Sequence, residues 1–368
     1  MSNNLTSTTD LKRTHRLEAL DWLRGLLAIS IMLYHFHLWQ IYGLQSDSLL
    51  GRLGIYGVSM FFILSGLSMA VVYNGKMEDL NNWLTFFIKR AFRILPLLWL
   101  AVAAVTIISI FIKHESVSAS KILLNITGAF GFIAPAEYLN TGAWSIGNEL
   151  VYYSVTPLLI LAYDRSRKLG NAVLAVCIAI GLAFSFFLLD PLIPISEQWK
   201  TYINPFNNLF LYVSGIALFY NTRKATYTPT LALIAITAGL SIFLLYPAHG
   251  DQISIVTGLS RIAFCTASLL VVYGFYSYRS QIPKLLSTPL EALGIATYGV
   301  YLLHPIVNSG ITFSLKLLKV DISPYITIGI SSVLSVAIAL AVYRLLESPM
   351  MSLGKHLSSG PRPAPTRS

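Results

Sequence analysis

Ten apolar stretches divide this sequence of 368 residues and constrain its fold more than any other feature. Most have the length of about 20 residues that an α-helix needs to cross the hydrocarbon core of a bilayer. A helix also pairs its own backbone N–H and C=O groups, as a membrane requires. The sequence therefore predicts an all-α, polytopic transmembrane helical bundle with about ten spans, near residues 18–41, 54–74, 90–112, 144–163, 171–190, 204–220, 229–247, 254–277, 291–314 and 324–346.

The composition agrees with a membrane protein and argues against several other classes. Charged residues make up 11% of the chain, whereas soluble domains carry about 25%. The net charge of +10 comes from basic residues between the apolar stretches. We therefore expect membrane lipids, and not nucleic acid, as partners of these residues. Cys177 and Cys265 both lie within apolar stretches, and no metal-spaced cluster occurs, so we predict no metal cofactor.

The distribution of Lys and Arg predicts the orientation of the bundle. One alternating set of termini and connections holds 17 of these residues and the opposite set holds six. Because cytoplasmic connections carry the positive excess, both termini are predicted to be cytoplasmic. The domains are then a cytoplasmic segment 1–17, a membrane domain 18–349 and a cytoplasmic tail 350–368. In the longest external connection, segment 122–134 is apolar but too short to span, which predicts a re-entrant or interfacial helix.

Two ionisable residues lie in the first apolar stretch, where a plain anchor would have none. Arg24 and His35 are eleven residues apart, so they share one helix face with a rise of roughly 16 Å between them. Ionisable groups within a bilayer are costly and usually face the protein interior or a water-filled cavity. The alternative is that Arg24 reaches the lipid headgroups and His35 packs in the core.

A second pair of basic residues, Arg90 and Arg93, lies at the predicted start of the third span. Their i,i+3 spacing places them on one helix face. The planar guanidinium group suits bidentate binding of phosphate oxygens. The alternative is ordinary anchoring by positive charge at the cytoplasmic surface.

The fourth span begins with a polar stripe formed by Ser145, Glu149 and Tyr153 at i+4 intervals. A carboxylate in this position could orient a histidine or bind sugar hydroxyls, and Trp144 could serve as a stacking platform. The alternative is that Ser145 caps the helix and Glu149 pairs with an arginine such as Arg52.

The ninth span contains Tyr298, Tyr301 and His304, followed by Pro305. Tyr301 and His304 lie at i,i+3, and the proline is expected to loosen the helix at that level. These side chains could belong to a site, or they could form polar contacts between helices.

Three further charges lie in or near the last spans. Arg261 is an intramembrane charge to which the sequence assigns no role. Arg344 and Glu347 are predicted to form a pair at the cytoplasmic end of the last span.

In this order, these residues resemble the acyltransferase-3 family of integral membrane O-acyltransferases. The resemblance implies about ten spans and transfer of an acyl group, often acetyl from acetyl-CoA, to hydroxyls of extracytoplasmic saccharides. It implies that His35 is the catalytic histidine and that Arg24, Arg90 and Arg93 are needed for activity. It also places the sequence with members that lack an appended periplasmic esterase-like domain. The motifs are Arg24 and His35, residues 57–66, Arg90, Arg93 and Pro96, Trp144-Ser145 with Glu149, Tyr298 with Tyr301 and His304-Pro305, and Glu347-Ser348-Pro349.

Together with what the resemblance implies, the positions of these residues predict an active site that extends through the cytoplasmic membrane. The arginines would hold the phosphates of acetyl-CoA or another acyl-CoA, and His35 would act as general base on the acceptor hydroxyl. Glu149 would orient His35 or position the acceptor, and Ser145 or Tyr298 could stabilise the oxyanion. The expected acceptor is a saccharide or lipid-linked glycan of O-antigen, exopolysaccharide or lipo-oligosaccharide type.

Two other functions remain open from the sequence. A transporter or flippase of lipid-linked saccharides would also place charges along a membrane path, but it would consume no thioester. A polymerase or ligase of surface glycans should carry a large external loop, and the longest predicted loop here covers only residues 113–143.

Overall fold

The structure, a computed structural model, describes residues 8–278, 280 and 282–358, with side chains from residue 18 onward. Within these ranges the regular structure is helical and includes no β-strand, which confirms the predicted all-α bundle. Three π-helical segments, Ile108–Ile112, Phe184–Leu188 and Tyr343–Glu347, continue α3, α7 and α14. The helices are α1 (Thr8–Gln40), α2 (Leu49–Tyr73), α3 (Leu80–Ile107), α4 (Ala119–Thr127), α5 (Phe130–Ile133), α6 (Ala143–Arg165), α7 (Arg167–Ala183), α8 (Trp199–Tyr202), α9 (Pro205–Thr222), α10 (Pro229–Leu245), α11 (Ile253–Val256), α12 (Gly258–Ser277), α13 (Lys284–Leu318), α14 (Pro324–Val342) and α15 (Ser348–Ser358).

Helices lie at all ten positions predicted for spans. In the described part of the chain, seven are long and apolar enough to cross a membrane, which makes this a multi-pass membrane protein. The other three are α6, α9 and the 17-residue apolar helix α10. The count of ten spans and the cytoplasmic position of both termini stay predictions. The seven are Glu18–Gln40, Leu49–Tyr73, Leu80–Ile112, Arg167–Leu188, Gly258–Ser277, Lys284–Leu318 and Pro324–Ser358.

Side-chain caps decide where the second and third long helices begin. The Ser48 side chain accepts a hydrogen bond from the N–H of Gly51, and Asp79 caps α3 in the same way through Asn81. Such caps satisfy backbone donors that have no partner within the helix. As a result, α3 begins at Leu80, well before the predicted span at residue 90. Arg90 therefore lies in the interior of α3 and not at its first turn.

The connections between helices form two groups, one at each end of the bundle. At one end, Ser46 N–H donates to the carbonyl of Gly250 (2.9 Å). At the other, Gly75 N–H and the hydroxyl of Tyr220 donate to the carboxylate of Asp164 at 2.8 and 2.6 Å. These contacts join connections that the charge distribution assigns to the same side of the membrane. We call the end that contains Asp164 the basic end, because it holds the Lys- and Arg-rich connections.

Close backbone contacts set the positions of the central helices. A Cβ atom added to Gly66 in α2 would lie 1.9 Å from the carbonyl oxygen of Tyr212 in α9. Gly294 in α13 also lies close against α1, since its added Cβ would be 2.6 Å from the carbonyl oxygen of Asp21. The second contact aligns α1 and α13 along their lengths and brings His35 opposite His304.

The apolar segment 122–134 is not a single helix. It forms the end of α4 and all of α5, separated near Gly128, which has φ of 71°. Helix α4 packs against α3 and α5 packs against α6. The segment thus covers the bundle with two short helices instead of the one helix that was predicted.

Candidate active site

A cavity of about 380 Å³ opens between α1, α2, α3, α6 and α13. It extends from the basic end of the bundle towards its middle and combines polar and apolar walls. Seven of the ten site residues predicted from sequence line it: Arg24, Arg90, Arg93, Ser145, Glu149, Tyr298 and Tyr301. The remaining three, His35, Trp144 and His304, are not part of its wall.

Three arginines give one side of the cavity its positive charge. The guanidinium group of Arg24 donates hydrogen bonds to the carboxylate of Asp21 and to the hydroxyl of Ser68. The guanidinium group of Arg93 donates to Glu347 (2.9 Å). The Nε of Arg90 is buried without a hydrogen-bond partner among the described residues. Arg90 therefore has donor capacity that the described protein groups do not use.

The contact between Arg93 and Glu347 corrects one prediction. Glu347 was expected to pair with Arg344 at the end of the last span, but its side chain is buried and turned towards α3. An unpaired carboxylate in such a place is costly, so Arg93 compensates its charge. Arg93 thus has a structural partner, and its charge is shared between that partner and the cavity.

Glu149 lies at the centre of a small hydrogen-bond network. Its Oε1 accepts bonds from the hydroxyls of Ser65 (2.6 Å) and Tyr153 (2.5 Å). The sequence predicted Tyr153 on the same stripe, whereas Ser65, which comes from α2, belonged to the motif at residues 57–66 and had no predicted site role. Because His35 bonds elsewhere, the prediction that Glu149 orients its imidazole is wrong. The carboxylate faces the cavity instead, together with Arg90.

Two arginines outside the cavity bond to other helices. Arg52 donates to the carbonyls of Ser46, Phe243, Tyr246 and Ala248, at 2.6 to 3.3 Å. It therefore caps the end of α10, and the alternative that it pairs with Glu149 is wrong. Arg261, to which the sequence assigned no role, donates to the side chain (2.6 Å) and carbonyl (2.7 Å) of Asn207. Both guanidinium groups stabilise the packing of helices.

The inner end of the cavity carries two hydroxyl groups. Ser145 Oγ and the hydroxyl of Tyr301 lie 2.7 Å apart, and both are within hydrogen-bond distance of the carbonyl of Gly142. Gly142 has φ of 86°, a conformation that glycine adopts readily, at the turn that begins α6. The hydroxyl of Tyr298, by contrast, donates to the carbonyl of Ile94 (2.8 Å). Of the two predicted oxyanion donors, Ser145 is the one at the end of the cavity.

The two histidines form a pair one helical turn beyond Tyr301. His35 Nδ1 and His304 Nε2 lie 2.9 Å apart. Trp39 is nearly parallel to both rings, with interplanar angles of 12° and 16°. His35 is partly exposed, whereas His304 is fully buried. The Tyr301 ring lies between the cavity and this pair, with its centroid 6.4 Å from that of His304.

Trp144 does not offer a free stacking face. It is 6% exposed and packs against Phe62, Trp199 and Tyr202, with centroids 5.6 to 6.2 Å away. The prediction that it serves as a stacking platform is therefore wrong. Its ring supports the start of α6, on which Ser145 and Glu149 lie.

A second cavity of about 500 Å³ adjoins the first at the basic end and shares Val72, Arg90 and Arg93 with it. We call this second cavity the vestibule. Lys76, Lys89 and Lys355 line it as well. In the sequence these lysines indicate only the topology, because they come from three separate segments that converge in the folded protein.

The described residues contain no group of three or more His, Cys, Asp or Glu side chains that could hold a metal ion. The site brings together arginines and lysines, hydroxyls, Glu149 and, beyond Tyr301, the histidine pair. Positive charge at the entrance suits an anionic ligand. The hydroxyls and imidazoles farther inside suit proton transfer and oxyanion stabilisation.

Comparison with known proteins reveals similarity to acyl- and acetyltransferases. The peptidoglycan O-acetyltransferase OatA of Listeria monocytogenes is 24% identical, over 94% of this chain and 58% of its own length. A putative acetyltransferase of Acidianus two-tailed virus is 25% identical, over 77% of this chain and 80% of its own. A putative O-acetyltransferase of Staphylococcus aureus strain COL is 22% identical, over 96% and 60%. This chain thus spans less than two thirds of the bacterial relatives.

No solved structure matches the chain. A family model described as an acyltransferase domain, however, matches residues 17–344. This range includes every site residue predicted from sequence and all the residues that line the cavity. The chain therefore belongs to the acyltransferase-3 family of integral membrane proteins.

Proposed function

We propose that this protein is an O-acyltransferase of the cytoplasmic membrane. It takes an acyl group, most simply acetyl, from acyl-CoA on the cytoplasmic side and transfers it to a hydroxyl of an extracytoplasmic saccharide. The observation that carries the proposal is the vestibule together with the cavity. They form a basic entrance at one end of the bundle that leads towards Ser145, Tyr301 and the His35–His304 pair.

The charges at the entrance fit a phosphorylated donor. Coenzyme A carries phosphate groups at one end and its thioester at the far end of a narrow pantetheine arm. Guanidinium groups bind phosphate oxygens in a planar, bidentate geometry. With the phosphates near Arg90, Arg93 and Lys89, the arm would follow the cavity towards Ser145 and Tyr301.

The reaction needs one base and one oxyanion donor. His35 removes the proton from the acceptor hydroxyl as its oxygen attacks the thioester carbonyl. The new C–O bond forms, the C–S bond breaks, and the proton passes to the sulfur of the leaving thiolate. One hydroxyl of the Ser145–Tyr301 pair would turn from the carbonyl of Gly142 and donate to the oxyanion, while the other hydroxyl donates to the first. The products are the O-acylated saccharide and free coenzyme A.

The names of the relatives guide the choice of acceptor. The Listeria relative is named for peptidoglycan, so peptidoglycan fragments belong in the assay beside O-antigen, exopolysaccharide and lipo-oligosaccharide.

The deciding experiment is acyl transfer by purified protein in nanodiscs. Radiolabelled acetyl-CoA and each acceptor are supplied, and both released thiol and acetylated glycan are measured. We expect thiol and acetylated product to appear in equal amounts and to depend on both substrates. Transport of a lipid-linked saccharide in proteoliposomes without any thiol release would contradict the proposal and support the transporter function.

A further inference from the structure

The contacts of His304 constrain the positions of protons on the histidine pair. His304 Nδ1 lies 3.0 Å from the carbonyl oxygen of Val300, one turn earlier in α13. Its other nitrogen, Nε2, lies 2.9 Å from His35 Nδ1. The two rings are nearly coplanar, with an interplanar angle of 17° and centroids 5.1 Å apart. This is the arrangement of two imidazoles joined edge to edge by one hydrogen bond.

The carbonyl of Val300 decides the tautomer of His304. A carbonyl oxygen only accepts hydrogen bonds, so the bond at 3.0 Å requires a proton on His304 Nδ1. A neutral imidazole carries one N–H, which leaves the Nε2 of His304 as an acceptor. The bond between the rings then requires a proton on His35 Nδ1. The remaining nitrogen of His35, Nε2, carries the free lone pair.

The surroundings of His304 favour this neutral arrangement. His304 is fully buried, and the rings of Phe36, Trp39 and Tyr301 contact it. Its hydrogen bonds go to a carbonyl and to a histidine, and no carboxylate is among these partners. If His304 became protonated, its positive charge would have no carboxylate among these partners to compensate it.

We propose that His304 is a positioning residue that holds His35 in the tautomer with the proton on Nδ1 and the lone pair on Nε2. Its effect on catalysis rests on the proposed acyl transfer, whereas its effect on the tautomer does not. His35 Nε2 accepts the proton of the acceptor hydroxyl and later delivers it to the thiolate sulfur. His304 keeps its own proton on Nδ1 throughout and accepts one bond from the imidazolium form of His35.

The tautomer can be measured directly, without any substrate. The protein is labelled with ¹⁵N-histidine in nanodiscs, and the His35 signals are assigned by comparison with His35→Ala. We expect the neutral ring of His35 to carry its proton on Nδ1, and His304→Asn to convert it to a mixture of tautomers. A protonated Nε2 on neutral His35 in the wild-type protein would overturn the proposal.

Two variants of the same position separate positioning from packing. A glutamine at position 304 can place its amide oxygen near the location of Nε2 and still accept from His35. An asparagine is one methylene shorter, so its amide stays near the location of Nδ1 and does not reach His35. We expect His304→Gln to retain turnover within about tenfold, and His304→Asn to lose roughly 10²-fold in kcat. The KM for acyl-CoA should stay unchanged in both, because the donor contacts lie at the basic end.

A double variant supplies the final control. If His304 acts only through His35, His304→Asn should cost nothing further in a His35→Ala background, since residues that act as a unit are not additive. Equal losses in the Gln and Asn variants, or additive losses in the double variant, would reduce His304 to a packing residue. Absence of transfer in the wild type, with the His35 tautomer as expected, would instead refute the proposed function.

Discussion

Among the individual residues, His35 has another imidazole, that of His304, as its hydrogen-bond partner. Arg24, Arg93 and Lys121 each pair with a carboxylate. The hydrogen bond of His35 goes to His304, and its side chain is partly exposed. The role of His35 can therefore be tested separately from the integrity of the fold.

We expect His35→Ala to lower the rate of acyl transfer steeply while the protein still inserts and folds. Loss of a general base costs about 10²- to 10⁴-fold in rate. Acetylated product is measured in nanodiscs, and the melting temperature of each preparation is measured alongside it. Turnover close to the wild-type value in His35→Ala would remove this residue from the mechanism.

The arginines of the cavity are tested by substitution with lysine, which keeps the charge but not the planar fork. We expect Arg90→Lys and Arg93→Lys to raise the KM for acyl-CoA, because each loses a charge-assisted contact of roughly 1.5–3 kcal/mol, or about ten- to a hundredfold. Arg90→Lys is the clearer test, because Arg93 also compensates Glu347. Arg167→Lys, at an exposed position of the same end, is the control. An unchanged KM for acyl-CoA in both cavity variants would contradict phosphate binding and indicate that these arginines only anchor the helix at the membrane surface.

The vestibule lysines offer a test of where the nucleotide part of the donor binds. We expect Lys89→Gln to raise the KM for acetyl-CoA but not for acetyl-pantetheine, which lacks the nucleotide phosphates. The reason is that a lysine at the entrance attracts phosphate charge and does not reach the thioester. Lys200→Gln, an exposed substitution at the opposite end, serves as the control. An equal increase in KM for acetyl-CoA and for acetyl-pantetheine would contradict binding of the nucleotide in the vestibule.

At the scale of helices, the crossing of α2 and α9 determines how the walls of the cavity are held. Gly66 meets the backbone of Tyr212, and Gly215 meets that of Ile63. Backbone atoms cannot turn away as a flexible side chain can. The same helix α2 carries Ser65 and Ser68, which bond to Glu149 and Arg24. A displacement at this crossing is therefore transmitted to the cavity.

We expect Gly66→Ala to destabilise the folded protein by about 1–3 kcal/mol or more, because the new methyl group overpacks a backbone contact. Gly329→Ala in α14 is the matched control, since nothing lies within 4 Å of its added Cβ. That control should be neutral or gain up to about 1 kcal/mol from helix propensity. Thermal unfolding in detergent measures both. Equal melting temperatures for the two variants would contradict the close contact.

At the scale of the whole molecule, the connections gather into two groups at opposite ends of the bundle. The vestibule belongs to the end with most of the Lys and Arg residues. If that end is cytoplasmic, as the charge distribution predicts, acyl-CoA can enter directly from its own compartment. The sidedness of the connections therefore decides whether the proposed reaction is possible.

Single cysteines placed in the connections test this sidedness. We expect Glu78→Cys and Lys168→Cys to be protected from a membrane-impermeant thiol reagent in intact cells, and Glu115→Cys and Leu192→Cys to be labelled. All four positions are exposed, and the native Cys177 and Cys265 are buried, so the background is low. The reverse labelling pattern would place the basic entrance outside the cell and exclude a cytoplasmic donor.

The sequence by itself determined the properties that depend on neighbouring residues. Apolar stretches about 20 residues long predicted the helices, and spacings of three or four residues placed Arg90 with Arg93, and Glu149 with Tyr153, on shared faces. Seven of the ten predicted site residues also proved to line one cavity. The exact starts of α2 and α3 escaped prediction, because they depend on the caps at Ser48 and Asp79.

Only the tertiary structure decided which side chains are partners. His35 bonds to His304 across 269 residues, and Arg93 bonds to Glu347 across 254. Such contacts depend on which helices cross and at what distance, and a periodic pattern within one helix carries no information about its neighbour. For the same reason the sequence paired Glu347 with Arg344, offered orientation of His35 as one of two roles for Glu149, and treated Trp144 as a free stacking face. The burial of Trp144 and the pairing of the two histidines follow from helix packing alone.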